Sequence, residues 1–558
     1  MARGYLNVVL HGHLPYVRHP EHDHFLEERW FFEALTESYI PLVSAFDRLL
    51  EEGVRFRLTV SLSPTLLAML GDPLLQTRYL RYLDLLEKLA ERELRRTRGE
   101  TAFQRLAGFY RDRLGEARLV FQGRYGRDLS RAFEKYRDLG VMELITTSAT
   151  HGYLPALQTQ PSAVRAQVVV AVEAFNRRFG GRPRGFWLPE CGYFPGLEAT
   201  LRDQGIRHFT VEAHGLLHAS FRPHYGLAAP IACENGVAAF GRDPEAARQV
   251  WSSAEGYPGD PVYREFYRDI GFDLEFKDVR ALSPDGRTRV YTGFKYYRVT
   301  GPTDQKEPYD PHRAARRAAE HADHFLRSRW EQIQRQAPQM DVPPVITVPF
   351  DAELLGHWWY EGPIWLEALL RRTAAQNGEV EFITPTDYLT RHPTLQKATP
   401  SASSWGAGGF NGFWINTDTD WMLPYLHDAA RKMEELAGAH REEPEGTLAD
   451  RALRQAARSL LLAQASDWGF IMRNGTAVEY AHQRVRDHLA RFNALMAALA
   501  AGEIDSRRLA ALEALDPLFA WVDFRVFAPL PRHGAAARRR PAPARRRLTS
   551  AARAGRGL

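Results

Sequence analysis

Short apolar runs alternate with longer stretches of helical spacing through the first two-thirds of the chain. Leu6–Leu10 is an apolar run that ends in His11-Gly12-His13-Leu14-Pro15, and residues 25–52 then carry apolar side chains at the spacing of an amphipathic helix. Arg57–Leu62 reads as a second strand, with Ser63-Pro64-Thr65 as a helix start. Residues 73–139, rich in Leu, Arg, Glu and Tyr, have helical periodicity and almost no strand signal, which predicts a helical insertion in the alternating pattern. The alternation resumes with a strand over Met142–Thr147 that leads to Thr150-His151-Gly152-Tyr153, then a helix over 161–179 closed by Gly180-Gly181. The next strand runs through Arg184-Gly185-Phe186-Trp187-Leu188 into Pro189-Glu190-Cys191-Gly192. A helix over about 195–205 and a strand over His208–Glu212 follow.

Residues 221–310 are full of Gly, Pro, Tyr and Asp and are expected to form long loops at the functional face. A helix over about 311–335 precedes the strand Val345–Phe350, which delivers Asp351, and a helix over 363–375 precedes a strand over Val380–Ile383. Strands separated by helices of about ten or more residues predict a parallel sheet, and so many in one core favour a barrel or an incomplete barrel over an open sheet. The resulting division is an α/β catalytic unit over 1–398 with the helical insertion at 73–139, and a connector and all-α C-terminal domain over 399–530. A tail at 531–558 completes it. The connector, Thr399–Trp421, is rich in Gly and Ser and carries Trp405, Trp414 and Trp421. The helical region contains Ala465-Ser466-Asp467-Trp468-Gly469-Phe470.

Composition changes this picture at one place. The formal charge of +5 includes nine arginines within residues 531–558, which have no lysine and no acid, so the remainder carries 5 − 9 = −4. The body therefore needs no polyanionic partner, no nucleic-acid binding is expected, and the tail is expected to be disordered. Only Cys191 and Cys233 occur, too few for a disulfide framework, and no run approaches the roughly 18 apolar residues of a membrane helix. The first ten residues lack the h-region and cleavage site of a secretory leader. A cytoplasmic protein with no membrane partner is expected. Nothing in the sequence fixes its oligomeric state, and a monomer is the working expectation.

Two stretches carry candidate chemistry. Glu190 and Asp351 each follow an apolar run, where α/β folds place reactive groups, and each lies near tryptophan. Glycosidic bond cleavage needs such a pair, one carboxylate as nucleophile and one carboxylic acid to protonate the leaving oxygen. Either alone could be a structural acid. His11, His13 and His151 could offer three imidazoles to a metal. No cysteine or HExxH cluster accompanies them, and hydrogen bonding to substrate hydroxyls is the favoured reading, with no metal and no cofactor. Trp358, Trp359, Trp405, Trp414 and Trp421 are either core or platforms for the apolar face of a sugar ring. Neither a G-x-S-x-G elbow nor a G-x-x-x-x-G-K-[ST] phosphate loop occurs.

Five motifs in order carry a resemblance: His11-Gly12-His13-Leu14-Pro15, Ala149-Thr150-His151-Gly152-Tyr153, Trp187-Leu188-Pro189-Glu190, Phe350-Asp351-Ala352-Glu353-Leu354, and Ala465-Ser466-Asp467-Trp468. Together they resemble glycoside hydrolase family 57, and within it the α-1,4-glucan branching enzymes. The resemblance implies a (β/α)7 barrel with a helical insertion and an all-α C-terminal domain. It implies a retaining double displacement on an α-glucan such as amylose or a glycogen-like polymer, with Glu190 as nucleophile and Asp351 as acid and base. It also places His11, His13, His151, Trp187, Trp251, His357, Trp358, Trp359, Trp405, Trp414, Asp467 and Trp468 around the sugar. The function so implied is 1,4-α-glucan branching, which breaks α-1,4 links and forms α-1,6 branches. An α-amylase-type hydrolase with weak branching is the alternative, and a silent glucan-binding protein or a metal-dependent hydrolase would be readings of another class. Relatives that branch efficiently resemble one another in a long mobile loop with a tyrosine at its tip. The corresponding stretch here, Pro230–Asp243, is shorter and has no tyrosine, which predicts a larger share of hydrolysis.

Overall fold

The computed structural model describes residues 3–252, 255–375 and 379–529; the tail at 531–558 lies outside them. Nine strands are present among the described residues: β1 (Gly4–Gly12), β2 (Leu58–Leu62), β3 (Met142–Ile145), β4 (Gly185–Phe186), β5 (His208–Val211), β6 (Ile231–Ala232), β7 (Ala238–Gly241), β8 (Val345–Asp351) and β9 (Val380–Phe382). β1 pairs in parallel with β2 on one edge and β8 on the other, β2 with β3, β4 with β5, and β5 with β7. Parallel bridges Thr146–Phe186 and Arg242–Thr347 join the two groups. The circuit β1-β2-β3-β4-β5-β7-β8 therefore closes into a seven-stave parallel barrel, the fold the alternation and the family resemblance imply. β9 pairs with Gly4–Leu6 of β1 on the β2 side, below the point where β2 begins.

Every stave residue of β1 and β2 is buried, because both faces of a parallel barrel strand are covered, and continuous apolar runs rather than alternation are the result. Helices pack around the staves. The helix Pro161–Phe179 ends at Gly180 in the left-handed region (φ 68°), and Pro311–Gln336 starts on the side chain of Asp310, which accepts from the backbone N–H groups of His312 and Arg313. Between β2 and β3 the long helices Pro73–Arg96 and Thr101–Arg118 lie side by side, joined by Arg118 to Asp84 and Glu87.

One expectation is overturned. Within 221–310, read as loops, Ile231–Ala232 and Ala238–Gly241 form an antiparallel hairpin, and β7 is itself a barrel stave between β5 and β8. The stretch 230–243 is thus barrel wall and not a lid, and its length says nothing about how water is kept out. Ala238-Ala239-Phe240-Gly241 has no β-branched residue, and glycine and proline surround it, so its strand character comes from its neighbours.

The C-terminal helices, among them Leu423–Ala439, Leu448–Ala463, Ser466–Asn474 and Val478–Ala501, share one continuous hydrophobic cluster with the barrel. They are fastened at the mouth: Ala465 bridges Gly152, Ser466 N–H donates to His151 C=O at 3.0 Å, and Thr150 Oγ1 donates to Leu461 C=O. No helix among the described residues is long and apolar enough to cross a membrane.

Candidate active site

Because all seven staves run the same way, their carboxyl ends share one mouth. His11 lies in the last pleat of β1 and His13 just follows that strand, His151 follows β3, Glu190 follows β4, Arg242 follows β7 and Asp351 ends β8. β1 and β8 are in register with His11 opposite Asp351. Above them is a cavity of about 760 Å³, within the range of ligand sites.

Glu190 sits in a tight turn after β4 with φ 61° and ψ 22°, followed by Cys191 at φ 51°; neither is glycine. Left-handed backbone at such residues costs on the order of 1–3 kcal/mol each and persists only where the surroundings enforce it. Here the Glu190 carbonyl accepts from the Trp405 N–H at 2.9 Å and Cys191 N–H donates to Leu188 C=O at 2.9 Å. The turn aims the carboxylate at the cavity floor. Trp405 Nε1 donates to Oε2 at 2.7 Å and Ser466 Oγ donates to Oε1 at 2.9 Å.

A chain of hydrogen bonds continues behind Ser466. His151 Nδ1 lies 2.7 Å from Ser466 Oγ, His151 Nε2 lies 3.0 Å from His11 Nε2, and His11 Nδ1 lies 3.1 Å from Ser61 Oγ. Burial first, then the neighbouring His13 charge, hold the pKa of His11 and His151 well below the ordinary imidazole value, so each ring carries one proton. A serine hydroxyl has one proton, and Ser466 gives it to Glu190. His151 must then donate from Nδ1, His11 must donate from Nε2, and Ser61 must donate to His11 Nδ1. The direction of the whole chain follows from its carboxylate end.

His13 differs from its two neighbours. Burial would lower its pKa, but Asp467, whose Oδ1 lies 2.9 Å from Nε2, outweighs burial together with Glu353 and Glu190 and raises it. Glu353 accepts from the His13 backbone N–H at 3.2 Å and from the Tyr39 hydroxyl. All three imidazoles thus spend ring nitrogens on one another or on Ser61, Ser466 and Asp467. Among the described residues no group of three or more His, Cys, Asp or Glu is arranged to hold a metal ion.

The two candidate carboxyls have unlike surroundings. Burial pushes Glu190 up to about 7, against the pull of the Trp405 and Ser466 donors. Burial also raises Asp351 well above the carboxylate range, and Glu353 and Glu190 add to the rise; only Arg242 opposes it. The Asp351 carboxyl accepts no hydrogen bond from the described residues, whereas Glu190 accepts two. Hydrogen bonds to the charged form favour ionisation, and nearby like charges disfavour it. Glu190 is the member built to ionise first, and Asp351 is the member built to keep its proton.

Aromatic side chains wall the cavity. Trp251 and Trp358 stack at 6.3 Å, Trp405 meets Trp187 edge-on at 5.4 Å, and Trp414 stacks on Tyr153 at 5.1 Å. Of the residues singled out by sequence, His11, His13, His151, Glu190, Trp251, Asp351, His357, Trp358, Trp405, Trp414 and Asp467 line this space.

Three do not, and this corrects the expectation. Trp187 lies beneath, stacked under His11 at 4.6 Å, and Trp359 packs on Trp365 and Tyr263 in the core. Trp468 is fully buried and donates Nε1 to Leu462 C=O at 2.8 Å. Trp421, also weighed as a platform, stacks on His482 away from the cavity. Indole this large defaults to core, and flanking sequence alone does not separate the two uses. Sequence reasoning left out Arg242, Ser466, Phe413 and Phe470 as site residues. Arg242 follows the stave read as loop. Ser466 stood inside a quoted motif with no role given it.

A closed parallel barrel with two unlike carboxyls at its mouth, under a cleft lined with indole rings, defines a carbohydrate-active enzyme of the glycoside hydrolase type. The sequence model for Glycosyl hydrolase family 57 matches residues 7–398, and that for the C-terminal region of 1,4-alpha-glucan branching enzyme matches residues 425–527. The chain belongs to glycoside hydrolase family 57. It is 33% identical to a 1,4-alpha-glucan branching enzyme of Thermococcus kodakarensis over 93% of this chain and 77% of that protein. It is 30% identical to a probable 1,4-alpha-glucan branching enzyme of Mycobacterium tuberculosis over 94% of this chain and 98% of that one. Among solved structures, the alpha-amylase AmyC of Thermotoga maritima superposes with a TM-score of 0.88 at 41% identity, covering 94% of this chain and 99% of that one. The GH57-type branching enzyme of Pyrococcus horikoshii superposes at 0.85 with 32% identity, covering 95% and 97%.

Proposed function

We propose that the protein is a 1,4-α-glucan branching enzyme that cleaves α-1,4 links and rejoins the freed chain through an α-1,6 link. The observation that carries the assignment of roles is the unlike pair of carboxyls: Glu190 is held by two donors, and Asp351 by none and beside two other acids. Unlike environments that separate two titrations mark which group serves as nucleophile and which as acid. Glu190 attacks the anomeric carbon while Asp351 gives its proton to the departing O4, and the bond between that carbon and O4 breaks to leave a glycosyl ester on Glu190. Asp351, now ionised, takes the proton from an incoming sugar O6–H, whose oxygen attacks the same carbon and frees Glu190. Two displacements retain the configuration. His13, paired with Asp467, and the indoles of Trp251, Trp358, Trp405 and Trp414 would hold the glucan by hydrogen bonds and stacking.

A second reading lets water take the place of the acceptor hydroxyl. It is favoured by the 41% identity to a protein described as an alpha-amylase. Incubation with amylose separates them: branching leaves the number of reducing ends nearly constant until a debranching enzyme exposes the new chains, and hydrolysis raises it at once. A steady rise with no further ends on debranching would overturn the branching assignment.

The proposed setting is glycogen-like polymer synthesis by a monomer in the cytoplasm. The unpaired, buried Cys191 and Cys233 support a reducing compartment.

A further inference from the structure

A second cavity, of about 340 Å³, adjoins the first, and His357 belongs to the lining of both. Its walls come from separate parts of the chain. The helical insertion gives Tyr82 and Tyr110, the 255–310 loops give Arg264, Phe266, Tyr291 and Lys295, and the first helical stretch after β1 gives Trp30, Glu33 and Glu37. Tyr110 ties two of these parts together, donating its hydroxyl to Lys295 C=O at 2.6 Å and accepting from Lys295 N–H at 3.2 Å. Glu37 lies in a π-helical turn, Leu35–Tyr39, a widening of the helix that recurs at functional sites. It joins the two cavities: Oε2 lies 2.7 Å from His357 Nδ1 and Oε1 accepts from Arg264 at 3.2 Å.

Lys295 is the odd group. It is 2% exposed, its ammonium lies over the rings of Phe266 (4.2 Å) and Tyr291 (5.2 Å), and among the described residues no carboxylate is within ion-pair distance. A cation this buried and unpaired costs free energy that a cavity ligand with lone pairs would recover. The lining is mixed in sign, with Arg113, Arg264 and Lys295 beside Glu33 and Glu37. Arg113 is already paired with Glu116 and Arg264 with Glu37, so among the described residues no cluster of free cations awaits an anion, and a neutral ligand bearing many hydroxyls suits the cavity better. At the rim, Tyr291 (41% exposed) meets Phe272 (47% exposed) at 5.0 Å, and Tyr267 (72% exposed) meets Phe266 at 5.1 Å. Exposed rings grouped beside polar hydrogen-bonding groups match the two faces of a glucose ring, one apolar and one edged with hydroxyls.

We propose that this second cavity binds glucosyl units of the acceptor chain and feeds that chain past His357 to the glycosyl-enzyme. The inference rests on the transferase reading for the word acceptor, but not for the existence of the sugar site. The cavity gives the incoming chain a place of its own, so that its hydroxyl and not water arrives in attacking geometry.

The test uses the full chain and maltose as the probe. Equilibrium dialysis with radiolabelled maltose on the Glu190→Gln protein should give two bound molecules per chain, falling to one when Lys295→Met is added, with Tyr291→Ala at the rim weakening the second site at least tenfold. Tyr291→Ala keeps the measurement decisive should Lys295→Met fail to fold. In the protein with Glu190 restored, Lys295→Met should lower the ratio of new α-1,6 links to new reducing ends at least fivefold on amylose. One bound maltose in the Glu190→Gln protein, two retained in the Lys295→Met or Tyr291→Ala combination, or binding of glucose 6-phosphate in place of maltose would overturn the sugar site. Loss of the second maltose in a protein that makes no α-1,6 links would leave the site standing and overturn the branching assignment.

Discussion

Trp405 holds Glu190 at both ends, its indole N–H on the carboxylate at 2.7 Å and its backbone N–H on the carbonyl at 2.9 Å. One residue of a connector 215 positions away in sequence thus fixes both the charge and the left-handed backbone of the candidate nucleophile. A hydrogen bond to a charged group is worth roughly 1.5–3 kcal/mol. Trp405→Phe keeps most of the ring and removes the side-chain donor. The expected result is a loss of kcat of roughly 10- to 100-fold with little change in melting temperature, read by reducing-end release from amylose.

The Ser466→Ala protein should show a changed pH profile. Removing the hydroxyl takes away a donor that opposes the rise of the Glu190 pKa, which burial has pushed to about 7 even with that donor in place. The acid limb of kcat/KM, where Glu190 becomes protonated and inactive, should therefore move to higher pH, and Ser466→Thr should restore it. An unmoved limb in Ser466→Ala would show that the hydroxyl does not act on Glu190.

Stability should respond to the same group. A carboxyl whose pKa rises on folding, here from 4.5 to about 7, costs stability that is absent below pH 4.5 and fully developed above pH 7. Glu190→Gln removes that cost. Its melting temperature relative to the parent should climb between pH 4.5 and 7 and stay level above, as measured by calorimetry. A difference independent of pH would contradict the raised pKa.

Asp351→Asn should abolish turnover of amylose, because the leaving oxygen loses its proton donor. With a glycosyl fluoride the leaving group needs little help, and the first displacement should proceed. Mass spectrometry should then find a glycosyl adduct on the peptide that carries Glu190. An adduct on another residue, or none, would reverse or remove the assigned roles.

Gly356 should tolerate no side chain. Its φ of 121° disfavours any other residue, and a Cβ there would stand 1.9 Å from the Glu37 carbonyl oxygen. Gly356→Ala should destabilise the protein by more than about 3 kcal/mol, seen as a lower urea midpoint.

The sequence spoke clearly where local chemistry and final environment agree. The apolar run before Asp351 and the Gly180-Gly181 stop became a stave and a helix end because nothing distant had to act on them. It was silent where long-range packing decides. β7 is a strand because β5 and β8 flank it, Trp358 faces the cleft while its neighbour Trp359 faces the core, and the pairing of Ser466 with Glu190 spans 276 residues. Periodicity reads burial along one element. It cannot read which side chain of another element will arrive beside it.

The placement of Ser466 and Asp467 has a consequence for synthesis. The ribosome completes every stave of the barrel, Glu190 and Asp351 included, before it adds the helix that supplies a donor to Glu190 and the partner of His13. A nascent chain that stops short of residue 466 holds both candidate carboxyls but lacks two of the groups that set their charge and the charge of their neighbours. A copy terminated before residue 466 is therefore expected to turn over its polymer more slowly than the full chain, although both carboxyls are present.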